Sequence, residues 1–175
     1  LIHIDIKKLG KFGRAGHRIT GVRSEESRTR NAGWDSVHVY IDDASRIAFS
    51  KVMKDERKES AVAFLKAAIA YYASLGVKVE RVMTDNGSCY KSRAFRKACM
   101  RLGLKHIRTK PYTPKTNGKA ERFIQTSLRE WAYARAYNTS KERAADFPRW
   151  LHRYNWHRPH GSIGSMPPIS RLALT

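Results

Sequence analysis

The stretch LIHIDIKKL, Leu1 to Leu9, decides how this chain is read. Apolar and polar residues alternate along it, putting Ile2, Ile4 and Ile6 on one face of a half-buried strand. Asp5 then projects from the opposite face, near the strand's end. A carboxylate is disfavoured by propensity in an apolar strand, so its presence there needs a reason.

Outward from this strand, Lys11 to Asp35 is rich in Gly, Ser and Arg and has weak periodicity. It reads as a basic loop with a short strand at His17 to Val22. Val37 to Ile41 and Ile47 to Val52 are two more strands, and Asp42-Asp43-Ala44-Ser45 between them is a hairpin turn. The period then becomes helical. Val62, Leu65, Ala68, Ile69, Tyr72 and Leu75 form an apolar stripe that stops at Gly76.

Val77 to Met83 is a strand leading into Thr84-Asp85-Asn86-Gly87, and Ser92 to Leu102 a helix closed by Gly103. A short strand follows at Lys105 to Arg108, then a loop from Pro111 to Gly118. A long helix carries Ile124, Leu128, Trp131 and Arg135 along one side. The last helix runs from about Lys141 to Trp156, with an irregular tail after Arg158. This order predicts an α/β domain, a mixed sheet covered by helices.

Charge narrows the partners. Lys and Arg number 35 against 15 Asp and Glu, a formal net charge of +20. Such an excess repels itself and is tolerable when a polyanion is the partner, which points to nucleic acid. The longest apolar stretch, Ala61 to Val77, is broken by Lys66 and falls short of a membrane span. Two cysteines, Cys89 and Cys99, make neither a disulfide framework nor a zinc spacing, and a reducing, cytoplasmic setting is expected. The chain opens on Leu1 within a core strand, as expected of part of a longer protein.

Most of the acids lie in turns or charged runs: Glu25-Glu26, Asp42-Asp43, Asp55-Glu56 and Glu59. Three stand apart. Asp5 lies on an apolar strand, Asp85 at a strand's end before a forced turn, and Glu121 near the start of the long helix. Taken singly, a local structural role explains each about as well as function does; capping, for instance, accounts for Glu121. Together they suit phosphodiester chemistry, in which two Mg²⁺ ions roughly 3.5–4 Å apart serve both the attacking and the departing oxygen. Such hard cations take carboxylate oxygens as ligands.

Met83-Thr84-Asp85-Asn86-Gly87-Ser88, and then Pro111-Tyr112-Thr113-Pro114-Lys115-Thr116-Asn117-Gly118-Lys119-Ala120-Glu121-Arg122, resemble the catalytic core of insertion-sequence transposases and retroviral integrases. Asp85 and Glu121 are separated by 35 residues, the spacing of that family's Asp-Asp-35-Glu signature. Tyr154 to His160 and Pro167-Pro168 look like the bacterial transposase branch.

The resemblance covers nearly the whole chain and implies a ribonuclease H-like fold with a mixed five-stranded sheet flanked by helices. Residues 1–137 would form the catalytic core, and 138–175 a C-terminal helix and Pro-rich tail of the same domain. It also implies Asp5, Asp85 and Glu121 as catalytic residues and ligands of two Mg²⁺ or Mn²⁺ ions. The activity implied is DNA cleavage and strand transfer by a homo-oligomer on mobile-element ends and target DNA, in a bacterial cytoplasm and at the nucleoid when acting. The gap from Asp5 to Asp85 is longer than in retroviral integrases, through the basic loop.

From Lys91 to Arg135 there are 13 Lys or Arg and two acids, which makes this flank the expected DNA surface. Lys115, Asn117, Lys119 and Arg122 surround Glu121 and are the expected DNA contacts, although Asn117 also suits cap or loop chemistry. Arg14, His17, Arg18 and Arg23 are weaker candidates for a second DNA segment. His152, His157 and His160 have poor spacing for a metal site. Two other readings stay open here: a nuclease that only hydrolyses, and a non-catalytic DNA-binding protein of the same descent.

Overall fold

The computed structural model describes residues 1–14, 21, 33–109 and 117–172. Five strands form one mixed sheet in the order β3-β2-β1-β4-β5. They are β1 (Ile2–Gly10), β2 (Trp34–Asp42), β3 (Ala48–Met53), β4 (Arg81–Thr84) and β5 (Lys105–Arg108). The first three are antiparallel neighbours, whereas β4 and β5 join β1 in parallel. Five α-helices follow the chain order: α1 (Lys58–Ser74), α2 (Ser88–Lys91), α3 (Arg93–Arg101), α4 (Gly118–Ser127) and α5 (Ser140–Trp156). The strand expected at 17–22 lies, Gly21 apart, outside the described residues, as do 111–116 of the expected loop.

Both faces of the sheet are covered, so β1 is not a half-buried strand. Ile2 and Ile4 pack on one side with Tyr40, Phe64, Leu65, Tyr72, Val82 and Phe95. Leu9 packs on the other with Val37, Val39, Ile41, Phe123, Trp131, Phe147 and Trp150. Helices α1 to α3 thus cover the first face and α4 and α5 the second. Aromatic contacts organise each layer, with Phe64 edge-on to Tyr40 at 4.8 Å and Trp131 at 4.2 Å from Phe147. Fully burying one such ring contributes roughly 1.5–3 kcal/mol.

Several elements differ from the sequence reading for identifiable reasons. Asp5 is the fourth residue of a nine-residue strand, because β1 continues to Gly10 against an equally long β2. Regular pairing in β4 begins only at Arg81, since β4 and β5 pair over Arg81 to Thr84 alone. Ser92 caps α3 by accepting from the Phe95 backbone N–H at 3.1 Å, and a separate short helix precedes it.

The helix expected to reach Arg135 ends at Ser127 and passes into a π-helical turn, Leu128–Ala132. The wider turn changes the helical phase. It buries Trp131, whose Nε1 donates to the Arg143 carbonyl at 2.8 Å. Arg135, beyond this turn, lies over the Tyr137 ring and pairs with Glu142 and Asp146.

Candidate active site

Strand register sets the first part of the site. In the parallel pair, Ile2 faces Val82 and His3 faces Met83. Asp85 follows the last residue of β4, two positions after Met83, and its charge acts on Asp5. Asp5 also lies opposite Val39 of β2, one of the buried residues on the sheet face covered by α4.

Asp85 is held by the turn that follows β4. Its Oδ1 accepts the Gly87 backbone N–H at 2.9 Å, and Asn86 Nδ2 donates to the Thr109 carbonyl at 2.9 Å. The turn is therefore tied to the end of β5. Glycine at 87 leaves room for Asp85: a Cβ there would stand 3.1 Å from Asp85 Oδ1 and 3.4 Å from the Tyr90 ring, so the carboxylate would have to shift. Asp5 Oδ1 accepts the Ile6 backbone N–H at 2.7 Å.

Glu121 reaches this edge through its helix. Ala120, Phe123 and Ile124 bury the inner face of α4, which leaves Glu121 exposed in the first turn. The start of α4 is fastened to β1, where Asn117 Nδ2 donates to the Ile4 carbonyl at 3.0 Å. Ile4 precedes Asp5, so the first turn of α4 begins next to that aspartate.

Asp85 and Glu121 both act on Asp5. The Asp5 carboxyl is pushed up from 3.8 to about 6, by burial first and then by repulsion from Asp85 and Glu121. The Ile6 N–H and Lys7 oppose this rise. Among the described residues, no three His, Cys, Asp or Glu side chains already stand in a metal-binding group. The donor chemistry nonetheless fits a hard divalent cation: three carboxylates, one of them exposed, with repulsion on Asp5 that a cation would relieve.

The expected DNA contacts separate. Arg122 is exposed. Lys119 Nζ pairs with Asp43 of the β2–β3 turn. Lys115 lies outside the described residues. Asn117 is 5% exposed, and both ends of its amide face inward. This residue type is a strong helix cap, worth about 1 kcal/mol, yet it makes no side-chain capping bond to α4. Its oxygen instead meets His3 Nδ1 at 3.3 Å.

His3 and Asp43 are the site residues that sequence reading missed. His3 is 5% exposed and shares a strand face with Asp5; its Nε2 lies 3.2 Å from Asp43 Oδ1. Burial pushes its imidazole below the ordinary value, against Asp43 and Asn117, which favour the charged form. Burial works to raise Asp43 as well, but Lys119 and His3 hold it below the usual carboxylate range. The alternation of β1 already put His3 on the Asp5 face; nothing local marked Asp43 as more than a turn residue. Of the other histidines, His152 stacks on Trp156 and touches the His157 ring, while His160 packs edge-on to Tyr154.

Comparison with known proteins agrees with this architecture. The integrase core domain matches residues 2–114, and a second integrase core domain pattern matches residues 102–168. The chain belongs to the integrase core domain family, a family of Asp-Asp-Glu polynucleotidyl transferases, and has its ribonuclease H-like fold.

It is 38% identical over 87 residues to the retrovirus-related Pol polyprotein from transposon TNT 1-94 of Nicotiana tabacum, covering 50% of this chain and 6% of that protein. It is 33% identical over 91 residues to transposase InsD for insertion element IS2A/D/F/H/I/K of Escherichia coli, covering 51% of this chain and 30% of that one. The matched region therefore spans well under half of either relative.

Among solved structures, the chain superposes on a simian T-cell lymphotropic virus intasome in complex with PP2A regulatory subunit B56 gamma. That match has a TM-score of 0.68 and 20% identity, and covers 99% of this chain and 54% of that one. It also superposes on the catalytic core domain of BIV integrase, with a TM-score of 0.61 and 20% identity, covering 79% and 85%. Among the described residues, no helix is long and apolar enough to cross a membrane.

Proposed function

We propose that this chain cuts and joins DNA at the ends of a mobile element, with Asp5, Asp85 and Glu121 as the catalytic carboxylates. The observation that carries this reading is the convergence of the three acids. The pairing of β1 with β4 leads the chain from Met83 toward Asp5, the Asn117–Ile4 bond starts the Glu121 helix next to it, and the charges of Asp85 and Glu121 both act on the Asp5 carboxyl, which supports the reading. Two Mg²⁺ or Mn²⁺ ions, when bound, would make the attacking oxygen more nucleophilic and stabilise the departing one.

The chain's own residues then have defined tasks. Asp5 and Asp85 hold rigid positions, because each already has one oxygen fixed by a backbone N–H. Glu121 closes the site from the exposed first turn of α4. In the first reaction water attacks a phosphorus at the element's end, the P–O3′ bond breaks, and a 3′-hydroxyl is released. In the second that hydroxyl attacks a target phosphorus, forming one phosphodiester as the target P–O3′ bond breaks. Neither reaction needs a covalent protein intermediate, so Ser88, Tyr90 and Tyr112 have no nucleophilic part.

DNA runs over the basic flank beside the site, with Lys115, Lys119 and Arg122 near the reacting phosphates. Asn117 faces inward and holds the helix instead. Residues 1–137 act as the catalytic core, and 138–175 as its C-terminal helix and tail; the acting form is a homo-oligomer on DNA. The test is metal-dependent cleavage and joining of labelled DNA ends by wild type, Asp85→Asn and Glu121→Gln. Both variants should lose cleavage and joining while keeping DNA affinity. Wild-type rates in either variant would remove that residue from the mechanism.

A further inference from the structure

We propose that His3 is a positioning residue for Glu121, acting through Asn117 and Asp43; the inference rests on the reading of the three carboxylates as metal ligands. The His3 ring bridges two parts of the fold that lie far apart in sequence. One nitrogen lies 3.3 Å from Asn117 Oδ1 at the start of α4 and the other 3.2 Å from Asp43 Oδ1 in the turn between β2 and β3; both oxygens are acceptors, so a neutral ring donates to one of them at a time. Asn117 continues the chain of bonds to the Ile4 carbonyl, and Lys119 returns it to Asp43. The first turn of α4 is thus tied at two of its residues to the strand that carries Asp5.

Glu121 lies four residues after Asn117, one helical turn further on. Whatever sets Asn117 therefore sets where the Glu121 backbone stands relative to Asp5. A buried polar network is a poor device for stability alone, since well-packed apolar groups of similar volume often do as well or better. Its distinctive property is direction: each hydrogen bond fixes a distance and an angle that apolar contact leaves free. Asn117 is the N-cap residue of α4 and makes no side-chain capping bond to it, which agrees with a placing role. Below this turn, Ala120, Phe123 and Ile124 bury the inner face of α4 and retain the helix without His3. Loss of the ring should leave the fold standing and loosen only the placement of Glu121.

The experiment measures Mn²⁺ affinity of the whole chain by calorimetry, alongside thermal unfolding and DNA binding, with Glu121→Gln as the reference. His3→Ala should weaken Mn²⁺ binding by about 10- to 100-fold, the usual effect of removing a group that orients a metal ligand, while DNA affinity holds. Asn117→Ala added to His3→Ala should lose less than the sum of the two single losses, because both remove the His3–Asn117 link and only Asn117→Ala also removes the Ile4 bond. His3→Gln, whose amide reaches one partner at a time, should recover part of the affinity.

Should His3→Ala fail to fold, Asp43→Asn carries the test, keeping the side-chain shape and weakening the same link several-fold. Wild-type Mn²⁺ affinity in His3→Ala, or in both His3→Gln and Asp43→Asn, would overturn the positioning role while leaving the carboxylate site intact. Fully additive losses in the double variant would overturn it too. Equal Mn²⁺ binding by wild type and Glu121→Gln would instead overturn the metal-site reading, and the inference with it.

Discussion

Replacing Asp5 with asparagine should stabilise the metal-free protein, and the gain should depend on pH. The Asp5 carboxyl titrates near 6 in the folded chain, against 3.8 without the fold, through burial first and then repulsion from Asp85 and Glu121. Because the folded value is the higher one, the folded state binds the extra proton. Stability therefore falls as pH rises through this window. The penalty is absent below about 3.8, grows as the carboxyl ionises, and is complete above about 6. Its size, from the displacement between 3.8 and about 6, is roughly 3 kcal/mol as an upper bound.

Asn keeps the acceptor for the Ile6 N–H and the shape of the side chain, and removes only the charge. Urea unfolding without divalent metal should show Asp5→Asn more stable than wild type by about 1–3 kcal/mol at pH 7.5. In thermal unfolding a gain of that size is roughly 2–12 °C for a chain this long. At pH 4 the difference should nearly vanish. Added Mn²⁺ should raise the melting temperature of wild type and leave the variant almost unmoved. An Asp5→Asn protein no more stable than wild type at pH 7.5, or equally stabilised at both pH values, would refute the account of Asp5 as a crowded, desolvated carboxylate.

Other positions make separate demands. Gly87→Ala should slow cleavage by roughly tenfold, because its Cβ would press on Asp85 Oδ1 at 3.1 Å; single-turnover rates check this, with urea unfolding expected to change by less than about 1 kcal/mol. Arg143→Ala should destabilise by about 3–5 kcal/mol, since it leaves the largely buried Asp35 carboxylate and the Gly10 carbonyl without its guanidinium; chemical denaturation would show it. Cys89 and Cys99, whose thiols burial pushes up to about 11, should resist alkylation at pH 8 in the folded protein and react at once in urea. Mass spectrometry after a short iodoacetamide pulse distinguishes the two states.

Much of the fold was legible because its signals are local. The alternation of Leu1 to Leu9, the helical stripe ending at Gly76 and the Gly103 stop each depend on residues within a few positions of one another. The 35-residue interval between Asp85 and Glu121 and the motifs around them singled out two acids whose charges act on Asp5 in the fold. Which residues cover the Asp5 face of β1 was not legible in that strand. Alternation in one strand reports the face with isoleucines and does not say that a second layer, built from Phe123, Trp131, Phe147 and Trp150, closes over the other.

What the sequence by itself determined, then, was the class of domain, and it singled out the three acids proposed for the site, because periodicity and motif spacing are properties of the chain. Only the tertiary structure decided how those acids are held. His3 and Asn117 lie 114 residues apart in sequence, and His3 and Asp43 lie 40 apart. No local pattern links them. Their contact exists because the sheet pairs β1 with β2 and β4 while α4 packs across β1, which brings a turn aspartate and an inward-facing asparagine to the same histidine. The π-helical turn after α4 was decided in the same way, by Trp131 reaching the Arg143 carbonyl on a helix not yet formed when the local sequence is read.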